Sequence, residues 1–424
     1  MNFLDDLEAR GLVFDATEGA RDHFSAGAVT GYIGFDPTAS SLHVGHLLPA
    51  LALARLQRAG HRPIALVGGG TGMIGDPSGK SKERNLLTRE TIEANVEGVR
   101  EQLSKFLDFS GPSAARMVDN YDWLGSTNLL DFLRDVGKHF TVNYMLAKDS
   151  VSRRIEQEEG ISFTEFCYMI TQAYDFQVLN DRYGCTLQMG GSDQWGNITA
   201  GLELIRRTRG AAAYGVVFPL ITTASGVKFG KTEEGAVWLD PARTSPFRFF
   251  QFWLNTDDRD ADRYLKYFTF LPVDEIAGIM TEHEANPAAR VAQRRLAVEV
   301  TRLVHGDEGL ERAERATGVL FGSRTARDLG AAELLDVFAD VPSTEIPRDR
   351  FGGEGMPLID LLVEGGVASS KSEARRLVTG GGIYLNGERI DSVDRFVRTD
   401  DAIDGSVLLL RKGRKDNHVV RLVG

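Results

Sequence analysis

The apolar run Ile64-Ala-Leu-Val67 goes straight into the glycine-rich stretch Gly68-Gly-Gly-Thr-Gly-Met-Ile-Gly-Asp-Pro-Ser-Gly-Lys-Ser81, and this junction most limits the fold. Four apolar residues ending on glycines read as a buried strand that must turn sharply. Upstream, Thr30-Gly-Tyr-Ile-Gly-Phe35 is a second strand signal. Between the two, residues from about His46 to Ala59 repeat apolar side chains at helical spacing, with Pro49 tolerable only in the first turn. Strand, helix, strand is the unit of a parallel sheet with right-handed crossovers, so the spacing predicts an α/β fold.

Further along, residues from Leu86 to about Leu179 read as mostly helical. One helix among them opens on the capping sequence Ser162-Phe-Thr-Glu165. Leu187-Gln-Met189 is a strand candidate ending at Gly190-Gly-Ser-Asp-Gln194. Ser245 to about Gly322 is helical again. Residues 322–355, with Pro342, Pro347 and two acidic clusters, read as a linker holding one short helix, Ala331 to Phe338. The last stretch, 356–424, predicts two short helices, the second capped by Ser370-Lys-Ser-Glu373, and a hairpin turning at Asn386-Gly387. The expected division is a parallel-sheet domain over 1–222 with a helical insertion at about 86–180, a helical domain over 223–321, a linker over 322–355 and a small α+β domain over 356–424.

Length and composition agree with several soluble domains: 424 residues, 42% hydrophobic and 26% charged. Two cysteines, Cys167 and Cys185, cannot build a disulfide framework and fit a reducing compartment. The acidic N-terminus is no signal peptide, and no apolar run is long enough to span a membrane, so the expected location is cytoplasmic. A net charge of −11 argues against a generally basic nucleic-acid binder but leaves room for a local basic surface. Residues 356–424 carry 11 Lys/Arg against 10 Asp/Glu, a relatively basic tail.

The glycine-rich loop invites two nucleotide readings that both fail. Gly70, Gly72 and Gly75 match G-x-G-x-x-G after a strand, but the acid expected some 20 residues on falls in a helical stretch around Thr88. Gly75 to Ser81 resembles a phosphate loop, but three residues separate its glycines where four are needed. A plain strand-to-helix turn remains.

Two other elements carry chemistry. His43-Val-Gly-His46 lies between strand and helix, where imidazoles beside backbone N–H groups can stabilise charge on a phosphate. Read alone, it could be a pair of exposed loop histidines, and no further His or Cys at ligand spacing makes it a metal site. Lys228-Phe-Gly-Lys-Thr232 places two lysines and a hydroxyl in a polar loop, suited to clamping a polyphosphate, though in isolation it is a solvated charge run. On the helix opening at Ser162, Tyr168, Gln172 and Asp175 share one face, which by pattern alone also fits an ordinary polar surface.

Taken together, HVGH and KFGKT resemble the HIGH and KMSKS signatures of class I aminoacyl-tRNA synthetases. Tyr32 to His46, Phe163 to Asp175 and Gly190 to Asn197 are similar to bacterial-type tyrosyl-tRNA synthetases, and residues 356–424 resemble the S4 RNA-binding fold that this family carries. The departures, Val44 for isoleucine and Phe229-Gly230 for methionine and serine, are small. The resemblance implies a Rossmann-like catalytic domain, then an α-helical domain and an S4 domain. It implies that L-tyrosine is joined to ATP as an adenylate and then passed to tyrosine tRNA.

By that resemblance, Tyr32 and Asp175 contact the tyrosine phenol, Tyr168, Gln172 and Asp76 its ammonium, and Gln194 lies near its carboxylate. His43, His46, Gly34, Asp36, Gly45, Asp193 and Thr38 serve ATP, with Gly45 against adenine and Asp193 on ribose. Lys228, Lys231 and Thr232 close over the pyrophosphate, with Lys80 and Arg84 assisting. Magnesium accompanies ATP as substrate, with no protein-bound metal or organic cofactor. The tRNA side is carried by Arg206, Arg207, Arg209, Lys371, Arg375 and Arg376, each of which could equally be a solvated cation. A homodimer is implied by the family alone. Rival readings are a tryptophanyl-tRNA synthetase, for which Tyr32, Asp175 and the S4 tail argue poorly, a shorter small-molecule nucleotidyltransferase, and a non-catalytic RNA-binding derivative, which would be expected to lose His46 or Lys231.

Overall fold

The computed structural model describes residues 2–78, 87–156, 160–226, 229–232, 235–413 and 416–424. The chain forms two compact units, Met1–Thr244 with Trp253–Val304, and Ser245–Phe252 with His305–Gly424.

The first unit is built on a six-stranded sheet. Its strands are β1 (Asp15–Ala16), β2 (Thr30–Phe35), β3 (Arg62–Val67), β4 (Arg116–Asp119), β5 (Leu187–Gly191) and β6 (Tyr214–Phe218). They lie in the order β1-β6-β5-β2-β3-β4, all parallel except β1, which runs antiparallel to β6. The predicted strand–helix–strand unit is there: the Leu47–Arg58 helix packs on β2 and β3 and buries nearly every side, which explains its continuous apolar sequence. From β2 the chain steps outward through β3 to β4, then returns to lay β5 on the other flank of β2. The carboxyl ends of β2, β3 and β5 therefore open a crevice where the strand order reverses, the general location of ligand sites in such sheets. Gly34, the last residue but one of central β2, is exposed: a strand flanked on both sides has a bare floor at its carboxyl end.

Residues 87–180 are mostly helical as predicted, but they also supply β4, which the sequence reading missed. Of its four residues only Val118 is buried, so no apolar run marks it. The Phe163–Tyr183 helix starts as expected, with the Ser162 hydroxyl accepting from the Glu165 backbone N–H. The reciprocal half of the capping box is absent, because the Glu165 carboxylate is drawn into a bidentate pair with Arg154 at 2.9 Å, both side chains buried.

In the second unit, β9 (Ser343–Pro347), β11 (Ile383–Leu385), β12 (Glu388–Arg389), β14 (Val407–Lys412) and β15 (Asp416–Val423) form a sheet in the order β12-β11-β14-β15-β9. The short strands β10 (Met356–Pro357) and β13 (Phe396–Val397) pair separately, as do β7 (Lys231–Thr232) and β8 (Gly235–Ala236) of the first unit. The hairpin at Asn386-Gly387 is as predicted, with φ of 50° and 90° at its two residues. The Asn386 side chain is also buried, donating to the Asp401 carbonyl and accepting from the Leu409 N–H.

The linker over 322–355 needs correction. β9 pairs in parallel with β15, Ile346 and Phe351 enter one core cluster, and Leu334 of the Ala331–Val337 helix packs in another with Val407, Leu409 and Val419. These residues belong to the second unit. Only Ile346 of β9 is fully buried, so the strand shows no alternation in a proline- and acid-rich sequence.

Candidate active site

The glycine loop after β3 uses its amides internally. The N–H groups of Gly70 and Thr71 donate to the Asn120 Oδ1, at 2.7 and 3.3 Å, and those of Gly72 and Gly75 to the carbonyls of Gly68 and Thr71. From Gly68 to Gly75 the amides are already paired and have none to offer a phosphate, which agrees with rejecting the G-x-G-x-x-G reading, while residues 79–81 of the Gly75 to Ser81 reading lie outside the described residues.

This loop forms one wall of a polar pocket. Asn120 is fully buried, and its Nδ2 donates to the Thr71 hydroxyl and to the Asp175 Oδ2, both at 2.9 Å. The Trp123 indole N–H donates to the other Asp175 oxygen at 2.7 Å. Burial pushes the Asp175 carboxyl up to about 8, against the pull of these two hydrogen bonds. Tyr32 lies buried against Phe176, ring centroids 5.2 Å apart, and its hydroxyl has no hydrogen-bond partner. Burial first, then the neighbouring Asp175 and Cys185, push that phenol well above its usual range. A buried hydroxyl left unpaired beside a carboxyl is a costly arrangement unless a ligand completes it.

Toward the mouth, the Tyr168 hydroxyl donates to the Asp36 carboxylate at 2.9 Å, which also accepts from Thr71 at 2.8 Å. Gln194 donates to Asp76 at 2.7 Å and accepts from Gln172 and Asn197. Asn197 also donates to the Gln172 Oε1 at 3.1 Å. The structure thus gathers Asp76, Gln172 and Gln194 into one network, with Tyr168 tied to Asp36. Asn197 belongs to that network, and Thr71, Asn120 and Trp123 to a second one with Asp36, Tyr168 and Asp175; all four were missed. Asn120 and Trp123 follow the strand that was itself unrecognised, and nothing in their spacing sets them apart.

On the opposite lip, HVGH forms one 3-10 turn leading into the Leu47–Arg58 helix. The Gly45 N–H donates to the His43 Nδ1 at 3.0 Å and the His43 N–H to the His46 Nδ1 at 3.2 Å, with the rings stacked 4.0 Å apart. With both Nδ1 atoms accepting, each neutral ring carries its proton on Nε2, as a donor.

The second signature comes to the same place. Phe229 is buried among Trp253, Tyr264 and Phe268, and this fixes Gly230 (φ 76°) against the HVGH turn. A Cβ on Gly230 would lie 2.6 Å from the Val44 Cγ2 and 3.6 Å from the Gly45 N. The Val237 N–H donates to the Gly230 carbonyl, and the Val44 N–H to the Val237 carbonyl at 2.9 Å. Two segments almost 190 residues apart in sequence therefore share one hydrogen-bonded wall. The backbone of Lys231 and Thr232 forms β7 immediately after it. Lys80, Arg84 and Lys228 lie outside the described residues. Thr38 and Asp193 are exposed.

The basic residues are less uniform. Arg206 and Arg207 both pair with Glu203, and Arg209 pairs with Asp181 at 2.7 Å. Lys371 pairs with Asp360 at 2.7 Å, while Arg375 and Arg376 are exposed on the same helix. No helix among the described residues is long and apolar enough to cross a membrane.

Residues 25–322 match the family model of class I tRNA synthetases (W and Y), so the chain belongs to that family. Residues 333–420 match the SYY-like C-terminal domain of tyrosine–tRNA ligases. Over 421 residues the chain is 58% identical to the tyrosine–tRNA ligase of Roseiflexus castenholzii, covering 99% of both chains, and over 425 residues 52% identical to that of Geobacillus stearothermophilus, covering 99% of this chain and all of the relative. A C-terminally truncated mitochondrial tyrosyl-tRNA synthetase from Aspergillus nidulans superposes with a TM-score of 0.68 at 34% identity, over 76% of this chain and 94% of that one. A tryptophanyl-tRNA synthetase from Encephalitozoon cuniculi, at 15% identity and a TM-score of 0.54 over 73% of this chain and 87% of that one, shares the fold alone. Within its family the chain is a tyrosine–tRNA ligase, a class I enzyme.

Proposed function

We propose that the buried end of the pocket holds the phenol of L-tyrosine between Tyr32 and Asp175, with Tyr168, Gln172 and Asp76 on its ammonium and Gln194 near its carboxylate. ATP lies along the HVGH turn, with Gly45 against the adenine, Gly34 and Asp36 at the bare floor of β2, and Asp193 on the ribose. The Nε2–H groups of His43 and His46, with Thr38, face the phosphates. Lys228, Lys231 and Thr232, with Lys80 and Arg84, take the pyrophosphate. The tyrosine carboxylate oxygen attacks the α-phosphorus, the bond to the β-phosphate oxygen breaks, and pyrophosphate leaves with its electron pair. A ribose hydroxyl of the terminal tRNA adenosine then takes the tyrosyl group and AMP departs. No side chain becomes covalently attached; these residues position reactants and stabilise charge as it develops. Magnesium enters with ATP as substrate.

The observation that carries this reading is the Tyr32–Asp175 pair: an unpaired buried hydroxyl beside a carboxyl held by two donors. Such a site suits a phenol and penalises phenylalanine, which would leave the buried Tyr32 hydroxyl unpaired. Tyrosine-dependent ATP–pyrophosphate exchange tests it, with phenylalanine and tryptophan as controls; exchange supported equally by phenylalanine would overturn it.

In the same reading, residues 1–222 form the catalytic domain and 223–321 follow with the KFGKT loop and helices. Residues 356–424 act as an S4-like domain, meeting tRNA through Arg375 and Arg376, with Lys371 beside them, while Arg206, Arg207 and Arg209 would exchange their carboxylate partners for RNA phosphates. The enzyme works in the cytoplasm as a homodimer. Supporting the dimer, the Leu129–Asp135 helix buries no residue yet carries Leu129, Leu130 and Leu133, and Val142 and Phe163 are exposed too.

A further inference from the structure

We propose that a cavity at the amino-terminal end of the parallel sheet, the end opposite the tyrosine and ATP site, binds a small phosphate-bearing anion. The cavity has a volume of about 320 Å³, at the lower end of small-ligand pockets. Arg62, Arg116 and Arg182 line it together with Tyr183 and Thr30, and no carboxylate does. Its placement follows from the topology. Thr30, Arg62 and Arg116 are the first residues of β2, β3 and β4, three neighbouring parallel strands, and Arg182 is the last residue but one of the Phe163–Tyr183 helix.

What sets these arginines apart on an acidic surface is that three of them line one hollow. The exposed guanidiniums of Arg134, Arg206, Arg209 and Arg259 each rest on an aspartate or glutamate. Among the described residues, Arg62, Arg116 and Arg182 pair with no carboxylate, as do isolated exposed arginines such as Arg375 and Arg376, but these three meet at one hollow although the chain carries a net charge of −11. Two of them are also held in place by rings: Arg116 lies over Tyr183 at 5.3 Å and Arg182 over Trp123 at 5.4 Å. Three like charges converging on one hollow repel one another, and a multiply charged anion relieves that repulsion. Planar guanidinium forks match phosphate oxygens two at a time, which favours phosphate over a monovalent anion. The concave shape favours a small ligand over a polymer.

Calorimetric titration of the full-length enzyme tests the site, with inorganic phosphate, pyrophosphate and AMP as probes and a non-hydrolysable tyrosyl-adenylate analogue bound in the active site. Binding of pyrophosphate or AMP is expected to persist with the analogue present, and to weaken at least tenfold in Arg62→Ala, Arg116→Ala and Arg182→Ala. Arg116→Lys, which keeps the charge but loses the fork, should weaken it less than Arg116→Ala does, and Arg259→Ala should leave it unchanged. Tighter binding of pyrophosphate identifies a free polyphosphate as the occupant, and tighter binding of AMP a nucleotide. ATP–pyrophosphate exchange serves as the folding control for each variant. Binding abolished by the analogue, or unaltered in all three alanine variants, overturns the proposal. So does failure of every probe to bind, including the case in which the same variants lose tRNA affinity and would assign the hollow to an RNA phosphate.

Discussion

The two sides of the catalytic crevice are built on opposite plans. On the side proposed for tyrosine the polar groups are buried and bonded to one another: Asp175 to Asn120 and Trp123, Asn120 to the glycine loop, Tyr168 to Asp36. On the side proposed for ATP, His43 and His46 sit half-buried on a turn whose backbone is held by Phe229, Gly230 and Val237. A neutral ring hydroxyl can be recognised only by groups that are costly to leave unpaired, so its pocket must be dry and rigid. A polyphosphate is recognised by charge, which a water-facing turn can supply. In the proposed reading, selection and chemistry are thereby divided between the two sides.

If that division holds, damage to one side should leave the other intact. The largest effect is expected from Asp175→Asn, which should lower kcat/KM for tyrosine at least ~100-fold, about 3 kcal/mol, with the KM for ATP little changed. A comparable rise in both KM values would break the contrast. Lys231→Ala should slow adenylate formation by roughly 10–150-fold, about 1.5–3 kcal/mol of transition-state stabilisation, without weakening tyrosine binding; stopped-flow fluorescence separates the two. Gly230→Ala, which forces a side chain into a left-handed conformation against Val44, should reduce adenylation about tenfold while equilibrium dialysis shows normal tyrosine affinity.

The raised Asp175 carboxyl sharpens the comparison further. Between about pH 4 and pH 8 the folded protein holds a proton there that the unfolded chain releases, so native stability contributed by this group falls as pH rises through that window and levels off above it. Denaturant melts of the wild type against Asp175→Asn should show their difference changing in that direction; a difference independent of pH would mean that Asn120 and Trp123 hold the carboxyl ionised. The smallest effect is expected from Arg375→Ala with Arg376→Ala, a few-fold rise in the KM for tRNA with exchange untouched, checked by aminoacylation at two salt concentrations.

What the sequence revealed follows the same division. HVGH, KFGKT and the Tyr168–Gln172–Asp175 face were legible because each is a local pattern on a turn or one helix. Asn120 and Trp123 were not, because they are brought to Asp175 by β4, a four-residue strand with a single buried side chain. The S4-like hairpin was legible from Asn386-Gly387, whereas β9 was mistaken for linker because its pairing with β15 spans over 70 residues and leaves no local periodicity. Cutting the chain at residue 356 would strand Ile346 and Phe351 without their core partners, so point substitutions test the tail better than truncation does.

The approach of Gly230 to Val44 also offers a handle. A Cβ at position 230 would stand 3.9 Å from that of Val44, within the span that bridges two sulfurs. Replacing both residues by cysteine would give an enzyme whose two signature turns can be riveted by an oxidant and released by a thiol, with the reduced form as the reference for the strain a side chain brings to position 230. Whether turnover survives the rivet would tell if these turns must part for product to escape.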